Sequence, residues 1–95
     1  MFVISLTYIC AMSEVDKHLS AHIGYLNRQY SDGVFLASGR KVPRTGGVIL
    51  ANVESKDKLE QILSEDPFKQ HALAEYDIIE FIPTKTSTEL AFLCQ

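Results

Sequence analysis

The side chains best suited to moving a proton near neutral pH are the three histidines, His18, His22 and His71, together with Asp66, which stands before a proline in "SEDPF". On a helical wheel His22 falls between Leu19 and Leu26, at the edge of an apolar stripe, with His18 one turn earlier on the same flank. Two readings fit it: a packed histidine with one nitrogen satisfied, or an imidazole at a pocket rim able to donate or accept a proton. Asp66 is equally divided. Aspartate before proline is common turn chemistry, its carboxylate accepting local backbone N–H groups. The same carboxylate can instead orient an imidazole and hold one tautomer, provided the chain brings it to His22.

Other constellations carry less. His18 and His22 are spaced i, i+4, as a metal pair on one helix face would be. The glutamate of a protease-type HExxH is missing, and a third ligand would have to be Asp66 or His71, so neither a metal nor a cofactor is expected. The segment "SGRKVPRTGG" gathers two arginines, a lysine and three glycines around a turn without the spacing of a phosphate-binding loop. It reads as a solvated hairpin whose glycines take positive φ, or as an anion-binding lip in which Arg40 or Arg44 meets a substrate carboxylate.

The elements that must position these residues can be read from patterning. Phe2 to Ala11, rich in β-branched and aromatic residues, suits a strand, and no basic residue precedes it as a secretory leader would require. Ser13 and Asp16 form a capping-box pattern that opens a helix with Val15, Leu19, Ile23, Leu26 and Tyr30 on its apolar side, closed at Asp32-Gly33. Val34 to Ser38 and Val48 to Val53 read as strands two and three. Ser55 caps a second helix carrying Leu59, Ile62 and Leu63, which Pro67 stops by restricting Asp66. "YDIIEFI" supplies a fourth strand closed by Pro83. The order is βαββαβ, an α+β ferredoxin-like arrangement with two helices on one face of a four-stranded antiparallel sheet. In it the first helix and the end of the second lie on the same side of the sheet. The domain is expected to span 1–95, with a core of 2–83 and a tail of 84–95 that is either one or two helical turns or an extra strand.

Bulk properties exclude several functions. With 95 residues and a net charge of −3, the chain makes one domain with no basic field to draw nucleic acid. Its 46% hydrophobic and 22% charged content is that of a globular protein, and no run approaches the roughly 18 apolar residues of a membrane span. Cys10 and Cys94 are too few for a disulfide framework, which points to a cytoplasmic protein. Consecutive apolar residues, Val48-Ile49-Leu50, Ile78-Ile79 and Val3-Ile4, leave both sheet faces apolar. A second copy is the expected cover, with the regions of Ile49 and Ile78 buried against it in a homodimer.

A histidine followed by "GYL", then "GVFLASG", "GGVILANVES", "EDPF" and "YDIIEF", resembles in order and spacing the YciI-like (YCII-related) proteins, from about Phe2 to Pro83. The resemblance implies a dimeric α+β barrel and a small-molecule pocket built around a His and an Asp, which map onto His22 and Asp66. Ser38 and Gly39 match the family's strand-end motif beside that pocket, where Arg40 replaces a proline that many members carry. Related members resemble dehydrochlorinases in acid–base elimination on small ring compounds, and the wider fold group includes muconolactone-isomerase-like enzymes. The first functional reading is thus a small lyase or isomerase acting on an anionic or ring compound. His22 would move the proton, Asp66 would orient it, and Arg40 with Arg44 would hold the anion. The second is a non-catalytic small-molecule-binding or accessory module that keeps the same pocket.

Overall fold

The computed structural model describes residues 1–94. The chain runs β1 (Phe2–Tyr8), α1 (Met12–Ser31), β2 (Phe35–Arg40), β3 (Gly46–Ala51), α2 (Lys56–Leu63), α3 (Pro67–Gln70) and β4 (Ala74–Glu80), followed by a 3-10 segment at Thr88–Leu93. The strands pair in the antiparallel order β2-β3-β1-β4, with the helices on one face, as the ferredoxin-like reading expects. The core lies between the layers. Phe2, Ile4, Leu6, Phe35, Ile49 and Ala51 on the inner sheet face are buried against Val15 and Tyr25 of α1, Leu59 and Leu63 of α2, and Phe68 of α3.

Several boundaries differ from the sequence reading. Helix α1 starts two residues earlier than the Ser13 pattern suggests: its N-cap is Ala11, with no side-chain cap, and Asp16 turns instead toward Arg44. Its buried side is also rotated from the expected stripe. Val15, Tyr25 and Gln29 are buried, with Leu19, His22 and Leu26 half-buried between them, whereas Ile23 and Tyr30 are exposed. His22 therefore sits inside the packed stripe, not at its edge. The exit is as expected: Asp32 caps the helix and Gly33 follows at φ +74°, a conformation glycine takes without a Cβ penalty.

The turn between β2 and β3 is shorter than it reads. Ser38, Gly39 and Arg40 belong to β2, Gly46 and Gly47 open β3, and the link is Lys41 to Thr45 with a cis Val42–Pro43 bond. Positive φ is thus not why these glycines are there. At Gly46 the reason is space, because a Cβ would overlap the Leu6 carbonyl on the neighbouring strand. Helix α2 ends before Asp66, its N-terminus capped by the Ser55 side chain on Lys58 N–H. Pro67 does not merely end that helix. It opens the next, short one, at the position where its missing N–H costs nothing.

The register resolves which members of the expected apolar regions face outward. Ile49 and Ile78 both pair with the fully buried Ile4 and face the helices. Their neighbours Val3, Val48, Leu50 and Ile79 share the opposite face, where Ile79 is 60% and Val48 39% exposed. The tail forms one 3-10 segment with no buried residue, leaving Leu90 and Phe92 exposed. Among the described residues no helix is long and apolar enough to cross a membrane.

The Gly46 contact makes a test of the sheet. Gly46→Ala must separate β1 from β3 where they cross, and is expected to destabilise the fold by about 3 kcal/mol in urea denaturation, at the upper end of overpacking costs. Gly24→Ala, where an added Cβ meets nothing, is the control and should hold or raise stability.

Candidate functional site

Asp66 is fully buried, and three groups bind it. Its Oδ1 accepts the Phe68 N–H at 3.0 Å, as the N-cap of α3, and lies 2.8 Å from His22 Nδ1. Its Oδ2 accepts the Tyr76 hydroxyl at 2.6 Å. Turn punctuation and imidazole partnership are therefore not alternatives, because the same oxygen does both. A carboxylate that accepts from a backbone N–H and a phenol is an acceptor, so Nδ1 carries the proton of the neutral imidazole. Nε2 makes no hydrogen bond to the described residues, and every buried side-chain nitrogen and oxygen among them is satisfied. Nε2 is accordingly the solvent-reachable nitrogen, free to accept a proton.

The ring's plane is fixed as well as its tautomer. Phe68 lies parallel to His22, with centroids 3.9 Å apart and planes 2° from parallel. Tyr25, one turn beyond His22, sends its hydroxyl to the Ile62 carbonyl at 2.9 Å and ties α1 to the end of α2. Burial pushes the Tyr25 phenol well above its ordinary range, with the nearby Asp66 charge adding to it. Burial likewise raises Tyr76, then the Asp66 charge and the hydrogen bond to it, so this phenol stays a proton donor at neutral pH.

His22 lines a cleft of about 260 Å³ between α1 and the β1–β3–β2 half of the sheet. Leu19, Ile23 and Leu26 form the helix wall, and Leu6 and Ile49 contribute from the strands. Ser38, Gly39, Arg40 and Arg44 also line it, so the structure gathers His22 and all four residues of the loop and strand-end motifs around one cavity, with Asp66 behind the imidazole. Ser38 Oγ is 2.6 Å from the Tyr30 hydroxyl, and Arg44 reaches Asp16 at 3.5 Å. His18 and His71, the remaining metal candidates, stack on each other with centroids 4.0 Å apart. Among the described residues no three His, Cys, Asp or Glu side chains form a group that could hold a metal ion.

This geometry sits on a recognisable frame. The YCII-related domain model matches residues 1–82. The chain belongs to the YCII-related family. No curated protein matches it. Among solved structures, the 5-chloro-2-hydroxyhydroquinone dehydrochlorinase of Burkholderia phenoliruptrix, determined with 2,5-dihydroxybenzoquinone, superposes with a TM-score of 0.73 at 19% identity, covering 84% of this chain and 91% of that one. At that identity the likeness is one of fold. The family match ends at residue 82, so the tail lies outside the part that defines the YCII-related domain.

Sequence reasoning missed Tyr76 and Tyr25. Tyr76 had a usable signal: it alternates onto the inner face of β4 opposite Leu6, and a tyrosine packed inward needs a partner for its hydroxyl. Both phenols also make the fold's stability fall in alkali. Their folded-state pKa values are raised, so above the ordinary value of about 10 the unfolded chain releases protons that the native state retains. Stability is thus complete below about pH 10 and falls as pH rises beyond it, by about 1.4 kcal/mol per pH unit for each phenol. Urea denaturation between pH 9 and 11.5 should show this fall, and Tyr76→Phe should flatten it relative to the wild type.

Proposed function

We propose that the protein is a small acid–base enzyme, a lyase or isomerase, acting on an anionic compound built on a single ring. The observation that carries this reading is the bond between His22 Nδ1 and the buried Asp66, which leaves Nε2 as the available base in the cleft. Nε2 takes a proton from the substrate, and the imidazolium that forms is stabilised by the Asp66 charge behind it. Return of the proton to a leaving group completes an elimination, and return to another carbon completes an isomerisation. Arg40 and Arg44 supply positive charge to a carboxylate or phenolate, Ser38 a hydroxyl, and Gly39 room for the ring to approach the strand. Apolar walls and the cavity volume suit one ring rather than an extended ligand. The dehydrochlorinase of the same fold, with its bound dihydroxybenzoquinone, supports this substrate class.

The enzyme works in the cytoplasm as a homodimer, each chain a single domain over 1–95. Val3, Val48, Leu50 and Ile79 form an apolar outer sheet face that a second copy would cover, giving the α+β barrel. Sedimentation at micromolar concentration is expected to give the dimer mass, and a monomer would overturn this assignment.

Thermal-shift screening of small carboxylates and phenols tests the site. A true ligand at 100-fold excess over its Kd adds about 2.7 kcal/mol of stability. His22→Asn is expected to lose that gain, and Arg40→Ala to lose it for carboxylates while keeping it for neutral phenols. Stabilisation that survives His22→Asn places binding elsewhere. Ligands that bind through His22 yet remain chemically unchanged leave a binding module in place of an enzyme.

A further inference from the structure

The Asp66 carboxylate serves three donors of different kinds. The Phe68 N–H is fixed by the first turn of α3, and His22 Nδ1 belongs to the side chain of the cleft. Tyr76 alone is a neutral hydroxyl on a separate element, β4, set opposite Leu6 by the strand register, with the Lys69 ammonium 5.2 Å from its ring centroid. Among the described residues, the other titratable or charged groups about His22 make no hydrogen bond to Asp66: Tyr25 on α1, Tyr8 on β1, and Arg40 and Arg44 of the cleft. Solvent does not reach the carboxylate. In such a site one anionic acceptor divides a fixed charge among its donors, and each bond polarises the others. What the Tyr76 hydroxyl draws toward Oδ2 is withdrawn from the imidazole at Oδ1.

We infer that Tyr76 is a positioning residue that moderates, through Asp66, the strength of the Asp66–His22 bond and hence the basicity of Nε2. Its Oδ2 bond does two things. It adds to the hold of the Phe68 N–H on the carboxylate's orientation, and it keeps His22 from holding its proton too tightly to pass it on. The inference rests on His22 being the proton carrier proposed above, but it concerns a bond made within the protein and is read without any ligand.

The test is ¹⁵N NMR of the uniformly labelled chain at a pH where the His22 ring is neutral. The Nδ1 resonance is followed through the carbon-bound ring protons and assigned by its loss in His22→Asn. Tyr76→Phe removes only the O–H, so the Nδ1–H bond to Asp66 should strengthen and Nδ1 should move downfield. Replacing Tyr76 alone by 3-fluorotyrosine makes a stronger donor of the same shape, and should move Nδ1 upfield. This arm stands by itself if Tyr76→Phe does not fold. A residue that only fills space would leave Nδ1 unmoved in the fluorotyrosine protein; no shift there, or a downfield one, overturns the inference. Because no ligand enters the measurement, a negative ligand screen sinks the proposed function without touching this result, and an unmoved Nδ1 sinks the inference without touching the screen.

Discussion

The rest of the structure depends on one buried charge. Asp66 is sealed from solvent, and an ionised carboxylate there costs several kcal/mol in lost hydration unless donors replace the water. The replacements come from three separate elements: His22 from α1, the Phe68 N–H from α3, and the Tyr76 hydroxyl from β4. Hydrogen bonds to a charged acceptor are shorter and stronger than neutral ones, and each fails quickly with misalignment. A shift of α1 along the sheet, or of α3 against β4, would therefore strand the carboxylate. The polar site and the fold's layer packing impose the same requirement, that these three elements keep their spacing.

The cleft follows from how that requirement is met. Helix α1 is held to the α3 side of the sheet by the Asp66 bond, by Phe68 stacked on the imidazole, and by Tyr25 on the Ile62 carbonyl. On the β2–β3 side the strands carry Gly39, Gly46 and Gly47, which bring no side chain to fill the gap. Small residues on one flank and a clamped helix on the other leave a cavity with the imidazole on its wall. Gly46 is small because the β1 backbone passes where its Cβ would lie.

Much of this is legible in the sequence. The periodicity change from two to 3.6 marks the βαββαβ order, and Asp32-Gly33 and Ser55 mark their helix termini correctly. What escaped was rotation and register. Treating Ile23 as a core position placed His22 at the stripe's edge; Ile23 instead lines the cleft, a surface that apolar periodicity cannot tell from a core. Consecutive apolar residues give no alternation from which to read a register, so which members of Val48-Ile49-Leu50 and Ile78-Ile79 face outward is set only by the strand pairing. Tyr76 gives no signal by type alone, because a tyrosine in a strand is ordinary until a partner for its hydroxyl is known. The Ser13 capping box failed for a local reason: helix α1 extends back to Met12, so Ser13 lies within the first turn instead of before it.

Asp66 shows why the two readings of a residue need not compete. An N-cap requires an oxygen aimed at the N–H two residues ahead, and Pro67 restricts the backbone to the extended angles that allow it, φ −70° and ψ 122°. The carboxylate's direction is therefore set by the start of a four-residue helix, not left to a free rotamer. Once Oδ1 is pinned on Phe68 N–H, its remaining lone pair and the whole of Oδ2 have determined directions. His22 meets the first, Tyr76 the second, and the ring of Phe68 itself supplies the surface on which the imidazole lies. Three consecutive residues, Asp66-Pro67-Phe68, thus specify the partner atom, the direction and the plane of the histidine. Punctuation of the chain is the means by which the base is held in its tautomer.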